Sequence, residues 1–249
     1  MAGPIEQFEI KTIAPIAKIG NVDIALTNSG LYMLIALAVI AVFFFSATSS
    51  RSVVPGRLQS LAEMAYEFIA GTVKGAAGNE GMRFFPLIFS LFCFVLVANM
   101  IGMIPGTFTV TSHVVVTFAM ALIVISTVII FGFMKHGAHF LHLFAPSGVP
   151  TAVLFVLIPI EVISFLSRPV TLGLRLFANM LGGHIAMKVF GGFVAGLLGA
   201  GGVYAILSPL PLAVIVALTA LEFLVAFLQA YVFAVLSSVY LNDALHPGH

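Results

Sequence analysis

Charge is what this sequence has least of. Of its 249 residues, 10 are Lys or Arg and 9 are Asp or Glu, together 8% of the chain, while 61% are hydrophobic. A soluble domain carries about a quarter of its residues charged, because its surface faces water. With a mean hydropathy of +1.19, the missing solvent is lipid. A formal net charge of +1 offers no basic field, so nucleic acid is excluded as a partner. The chain has one cysteine, Cys93, which excludes an intrachain disulfide and a thiolate metal cluster. Within FSLFCFVLV it reads as an inert packed thiol. A Gly-rich phosphate loop ending in Lys-Ser/Thr is also absent. No internal repeat is visible. Residues 1–30 lack the basic start and apolar centre of a signal peptide, being interrupted by Glu6, Glu9, Lys11, Lys18 and Asp23; the first arginine is Arg51, which argues against a transit peptide. A retained, polar N-terminal segment over 1–30 is therefore expected.

What the sequence has instead is long uncharged runs. A helix needs about 20 apolar residues to cross a bilayer core, and Leu31–Thr48 holds no charge, so a first span is placed over 31–48. Residues 51–83 mix Arg51, Arg57, Lys74 and Arg83 with Glu63, Glu67 and Glu80. Leu58, Leu61, Ala62, Ala65 and Phe68 share a side at helical spacing, which predicts an amphipathic helix lying along the membrane surface. From 84 to 134 there is no Asp, Glu, Lys or Arg. That run suits a two-span hairpin, broken at Pro105-Gly106 and the polar stretch through His113. Lys135, His136, His139 and His142 close it, before Pro146, Gly148 and Pro150. With no Cys or carboxylate nearby, the three histidines read as a hydrated interfacial segment rather than a metal site. Arg51, Arg57, Lys74, Arg83 and Lys135 fall on one side of three spans, which the positive-inside rule makes cytoplasmic, with the N-terminus outside. From 150 to 243 two long apolar arms flank glycines 191, 192, 196, 199, 201 and 202, and strong tilt would accommodate their length. The predicted fold is an all-α integral membrane protein of five to six membrane helices in a single domain over 31–249, with a long tilted C-terminal hairpin over 150–243.

A charge at membrane depth costs about 2.5–3.5 kcal/mol on insertion scales, so it faces a partner or water. On a helix, Glu161, Ser164, Arg168, Thr171, Arg175 and Asn179 share an arc of about 80°. The next arm places Gln229 and Tyr240 within about 20° of Glu222. Folded about the glycine turn, Arg175 pairs with Gln229 at an index sum of 404 and His184 with Glu222 at 406, so one hairpin juxtaposes both. His184 lies on the opposite side of its helix from Arg175, and a direct contact with Glu222 requires twist or a kink at Gly182-Gly183.

The arrangement reads as a divided path. Arg175 cannot lose its proton, so it serves as a barrier to protons and a transient partner for a carboxylate. His184 changes charge near neutrality, and with Glu222 it makes a relay. Glu161, about 21 Å along the axis from Arg175, serves a second aqueous access. The alternative is that such charges only pair and fix helix packing, which is the reading for Lys188 and Asp243. Arg168 stays open, since Glu161 lies seven residues earlier on nearly the same face. Asn99 is equally an interhelical contact or a pathway residue. A secondary transporter, a respiratory-complex membrane subunit or a structural scaffold are the rival classes, although the inverted repeats common in transporters are not evident.

Ser167–His184, SRPVTLGLRLFANMLGGH, strongly resembles the signature of the a subunit of F-type ATP synthases, and Leu221–Leu241, LEFLVAFLQAYVFAVLSSVYL, resembles that family's last helix. The likeness extends more loosely to Asn99–Pro105 and to the order of spans. The resemblance implies a proton-translocating stator subunit in which Arg175 faces a ring of c subunits, with Asn179 and Gln229 as polar neighbours. It implies His184 and Glu222 at entry-channel positions and Glu161 at an exit-channel position; Ser164 and Arg168 lie on the same stripe, with Asn99 and Tyr240 as secondary candidates. It further implies b-type peripheral stalk partners, no cofactor, no catalytic residue and no metal, with ATP chemistry in other subunits. A bacterial inner membrane is the expected location, a mitochondrial inner membrane the alternative. Protons are preferred over sodium as the ion. Many relatives carry an acidic residue between Asn99 and Pro105, where this chain has Gly102, so the resemblance assigns that loop no proton role.

Overall fold

A computed structural model describes residues 9–19, 22–49, 54–104, 106–144 and 150–245. Glu6, Arg51, Pro105, Pro146 and Gly148, named above, lie outside them. Among the described residues, five helical stretches are long and apolar enough to cross a membrane. Phe155, Phe45 and Ile163 are 84%, 78% and 67% exposed, a surface that only lipid or a partner protein can cover. Helices satisfy this setting because every interior backbone group is hydrogen-bonded within its own segment.

The chain begins with a feature its sequence did not suggest. An antiparallel β-hairpin, β1 (Thr12–Ile19) and β2 (Val22–Thr27), pairs Thr12 with Thr27 and Lys18 with Asp23. It leads directly into α1 (Asn28–Ser49), whose first turn is held by the Thr27 hydroxyl accepting the Gly30 N–H at 3.2 Å. α2 spans Arg57–Gly81, with a break at Gly78, where φ is +64°. Its buried edge is Ile69, Ala70, Val73, Ala77 and Gly81. This is the C-terminal continuation of the amphipathic stripe, whereas Leu58, Leu61 and Phe68 are exposed. The apolar side at the start of α2 borders an open groove toward α1, lined also by Phe43, Phe92 and Cys93.

The uncharged run folds as α3 (Phe85–Gly102) and α4 (Val114–His136), joined by a segment with a short 3-10 turn at Val110–Ser112. While His136 ends α4, another 3-10 segment, Gly137–Leu143, carries His139 and His142. Within it the rings of His139 and His142 lie 4.2 Å apart, while His136 Nε2 is 3.1 Å from the Leu245 carbonyl. Lys135 pairs with Glu80 at 2.6 Å, and Arg83 lies over the Phe131 ring. Basic residues of three elements therefore gather at one end of the bundle. The 106–113 segment and the β-hairpin sit at the other.

α5 is a 50-residue helix, Thr151–Ala200, with Pro159 and Pro169 inside it; each proline removes a ladder hydrogen bond and favours a bend. Gly201 and Gly202 reverse the chain with φ of +67° and +58°, conformations that favour glycine. α6 (Gly202–Leu207) and α7 (Pro209–Leu245) return alongside α5. The register lies within one residue of the expected pairing: Gly183 faces Glu222, an index sum of 405, and the Thr219 hydroxyl reaches Met187 Sδ at 3.5 Å, a sum of 406. α7 buries Ala226, Ala230, Ala234, Ser237 and Ser238. Small residues of this kind let helix backbones approach where no water drives association. The core between α2, α3, α4 and α7 is filled by Ile69, Ile88, Val95, Val128 and Phe233.

Candidate proton-transfer site

α5 sorts its side chains onto two faces. Phe165, Leu172, Leu176, Met180 and His184 are buried, at spacings of a heptad and then successive single turns. On the other face Ser164, Thr171, Arg175 and Asn179 are exposed, and Glu161 and Arg168 are half-buried. The stripe read from the sequence is thus a continuous polar seam on the outside of the bundle, flanked by exposed Leu166, Val170 and Leu174. Among the described residues, Arg175 has no ion pair and no hydrogen bond from its guanidinium. The structure does not bring Arg175 and Gln229 into a hydrogen bond; Gln229 is buried in the α7 interface.

Arg168 resolves differently from the pairing with Glu161 that its spacing allowed. Its Nη1 lies 2.5 Å from Asp243 Oδ2, and the guanidinium sits over the rings of Phe165 and Tyr240, at 5.4 and 5.1 Å. The cause is the hairpin, which carries the end of α7 past Arg168. Tyr240 is accounted for here as a cation–π partner.

On the inward side, Glu222 is 7% and His184 6% exposed. They are neighbours through the hairpin register, but no hydrogen bond joins them. Both Glu222 oxygens lack a hydrogen-bond partner among the described residues. The carboxylate rests against Gly183, where any side chain would overlap it. His184 Nε2 instead lies 3.0 Å from Thr109 Oγ1. His184 also lines a cavity of about 770 Å³, with Lys188 and Met187 of α5, Thr219 and Phe223 of α7, and Met100, Gly102 and Met103 at the end of α3. Exposed Ile104 and Gly106 lie at its rim, toward the end opposite the basic cluster.

Thr109 and Thr111 are functional candidates that spacing arguments did not single out. Thr111 donates to Asn99 Oδ1 at 2.7 Å, and Asn99 Nδ2 donates to the Ala226 carbonyl at 3.2 Å, tying the loop to α3 and α7. Asn99 thus makes an interhelical contact, one turn from Glu222. The available signal was TFTVTSH, a run of hydroxyls without charge between two spans. Nearby, His113 stacks on Phe108 at 4.8 Å, and burial lowers it from the ordinary imidazole value.

A polytopic helical bundle with an exposed arginine seam on one side of a helix and a buried histidine and carboxylate on the other has the organisation of an ion-translocating membrane subunit. The family model described as the ATP synthase A chain matches residues 30–242. The chain is 62% identical over 246 residues to the ATP synthase subunit a of Mesorhizobium japonicum, covering 99% of this chain and 97% of that one. It is similarly 62% identical to the subunit a of Xanthobacter autotrophicus, over 99% and 98% of the two chains, and 59% identical to that of Beijerinckia indica, over 99% and 97%. It belongs to the ATP synthase A chain family.

Proposed function

We propose that this chain is the proton-conducting stator of a bacterial F-type ATP synthase, working through two aqueous half-channels separated by Arg175. The observation that carries this reading is the division of α5: an unpaired, exposed arginine on its outer face, and a buried His184 beside Glu222 and a cavity on its inner face. An exposed guanidinium on an apolar helix is costly against lipid, so a protein partner must cover that seam. The partner the family implies is the c-ring, whose carboxylates present the complementary charge. A proton enters the cavity at the rim formed by Ile104 and Gly106, passes His184 and Glu222, and neutralises a ring carboxylate. The neutral site rotates into lipid. A site arriving from the other direction meets Arg175, which stays protonated and favours the ionised carboxylate, so the proton leaves toward Glu161. Asn179 and Gln229 neighbour the arginine in this scheme, and Ser164 continues the polar seam toward Glu161.

Peripheral-stalk b subunits and a bacterial inner membrane belong to the same proposal, as does the absence of ATP chemistry from this chain. The test is Arg175→Ala in the assembled complex, measuring ATP-driven proton pumping and passive leak after the soluble head is stripped. Loss of pumping with leak retained or raised is expected. Normal pumping would make the arginine structural and end this reading.

A further inference from the structure

Thr109 sits between the end of α3 and the His184 ring. It is 3% exposed, and its Oγ1 lies 3.0 Å from His184 Nε2 and 3.3 Å from the Gly102 carbonyl. Gly102 is the last residue of α3, so its carbonyl is one of those a helix end leaves without an intrahelical donor. A buried carbonyl of this kind requires a donor, and the Thr109 O–H is the one the structure provides. With its single proton committed there, the hydroxyl presents a lone pair to His184 and accepts the Nε2–H.

The approach is also built. A Cβ at Gly102 would lie 2.6 to 3.0 Å from three Thr109 atoms, so only glycine lets the loop settle this close to α3. The hydrogen bonds from Thr111 to Asn99 and from Asn99 to Ala226 then brace the same loop against α7. We infer that Thr109 is a positioning residue for His184, holding the imidazole by its Nε2–H and favouring the protonated ring, and so setting the pH at which the entry path loads. This rests on the proposed role of His184 and extends it to the loop, to which the family resemblance assigned no proton function.

The physical reason is that a hydrogen bond to a charged donor is stronger than one to a neutral donor. Removing the acceptor therefore weakens the imidazolium more than the imidazole. Other ionisable groups around the ring are Lys188 on α5, Glu222 on α7 and His113 beyond the loop; among the described residues α3 contributes none. Thr109→Val alters none of these charges, so a shift reads the lost hydrogen bond.

The experiment uses the whole complex in inverted vesicles, following ATP synthesis while luminal pH is varied at fixed external pH. Thr109→Val should move the luminal pH dependence downward by about half to one pH unit, while Thr109→Ser keeps the wild-type profile. Should Thr109→Val fail to assemble, Gly102→Ala displaces the hydroxyl with threonine retained and should give the same downward shift. Equal shifts in the Val and Ser variants would mean packing and overturn the inference, as would a wild-type profile in Thr109→Val. His184→Ala separates the two claims. If it abolishes synthesis while Thr109→Val behaves as wild type, only the inference about Thr109 falls. If His184→Ala itself retains the wild-type rate and profile, the entry role of His184 falls first.

Discussion

The carboxylate of Glu222 lies so close to Gly183 that a Cβ at that position would overlap Oε1. The clash is with the far end of a flexible side chain, so Gly183→Ala should be absorbed by rotation of Glu222 rather than by unfolding. Assembly should stay at the wild-type level. Misplacing a reacting group by about 1 Å costs on the order of 100-fold, and a carboxylate that keeps some freedom should lose roughly tenfold in proton flux. Acidification of inverted vesicles, normalised to subunit content, measures this. Unchanged flux would show that the Glu222 position against Gly183 is incidental.

Glu222→Gln separates function from stability at the same site. Neither carboxylate oxygen has a hydrogen-bond partner among the described residues, and a buried unpaired charge costs several kcal/mol. A neutral amide of the same shape should leave thermal retention of the subunit in the complex unchanged or raise it. Proton flux should nevertheless fall at least tenfold, because the amide cannot take up and release a proton. Flux near the wild-type rate would remove Glu222 from the path.

A purely structural position should behave in the opposite way. Gly132 lies beneath the ring of Phe140, itself 1% exposed, and a Cβ at 132 would overlap that ring. Gly132→Val should destabilise the subunit by about 1–3 kcal/mol, the usual range for overpacking. It should lower the temperature at which the complex loses the subunit, while flux per assembled complex stays near normal. A selective loss of flux would instead tie the 137–143 segment to transport.

The parts of this fold visible in the sequence are those written in periodicity. Uncharged runs marked the helices, and the spacing of Glu161, Ser164, Arg168, Thr171, Arg175 and Asn179 placed a polar stripe that the structure leaves exposed or half-buried along α5. Hairpin arithmetic paired His184 with Glu222, and the structure sets its neighbour Gly183 against Glu222, one step from that pairing, because a glycine turn fixes the register. Contacts made by irregular backbone were not visible. Thr109 reaches His184 across 75 positions, and nothing in local spacing records the path of the 103–113 segment. The β-hairpin was missed for a related reason: its strands are short and interrupted by charge, giving neither a clean alternation nor a helical stripe. The partner of Arg168 stayed open because Glu161 is near in sequence, whereas Asp243 at the end of α7 arrives only through tertiary packing.

That partner, Asp243, supports a prediction about the cytoplasmic half of the path. Arg168 lies midway between Glu161 and Arg175, one heptad from each, and its charge is balanced by Asp243, with about a quarter of each side chain exposed. Asp243→Asn would leave a second cation along the route by which protons leave Arg175. It should lower the stability of the subunit by about 1–2 kcal/mol, between the values for exposed and buried pairs, and slow proton flux a few-fold. Arg168→Gln alone removes the cation and leaves the carboxylate, so its flux should fall less. The double variant removes both charges and should recover most of the flux lost in Asp243→Asn. Stability and ATP-driven pumping measured over all four combinations form a double-mutant cycle. Recovery in the double variant would show that the role of Asp243 is to neutralise Arg168, whereas additive losses would mean that each side chain acts separately and that their contact does not matter to proton exit.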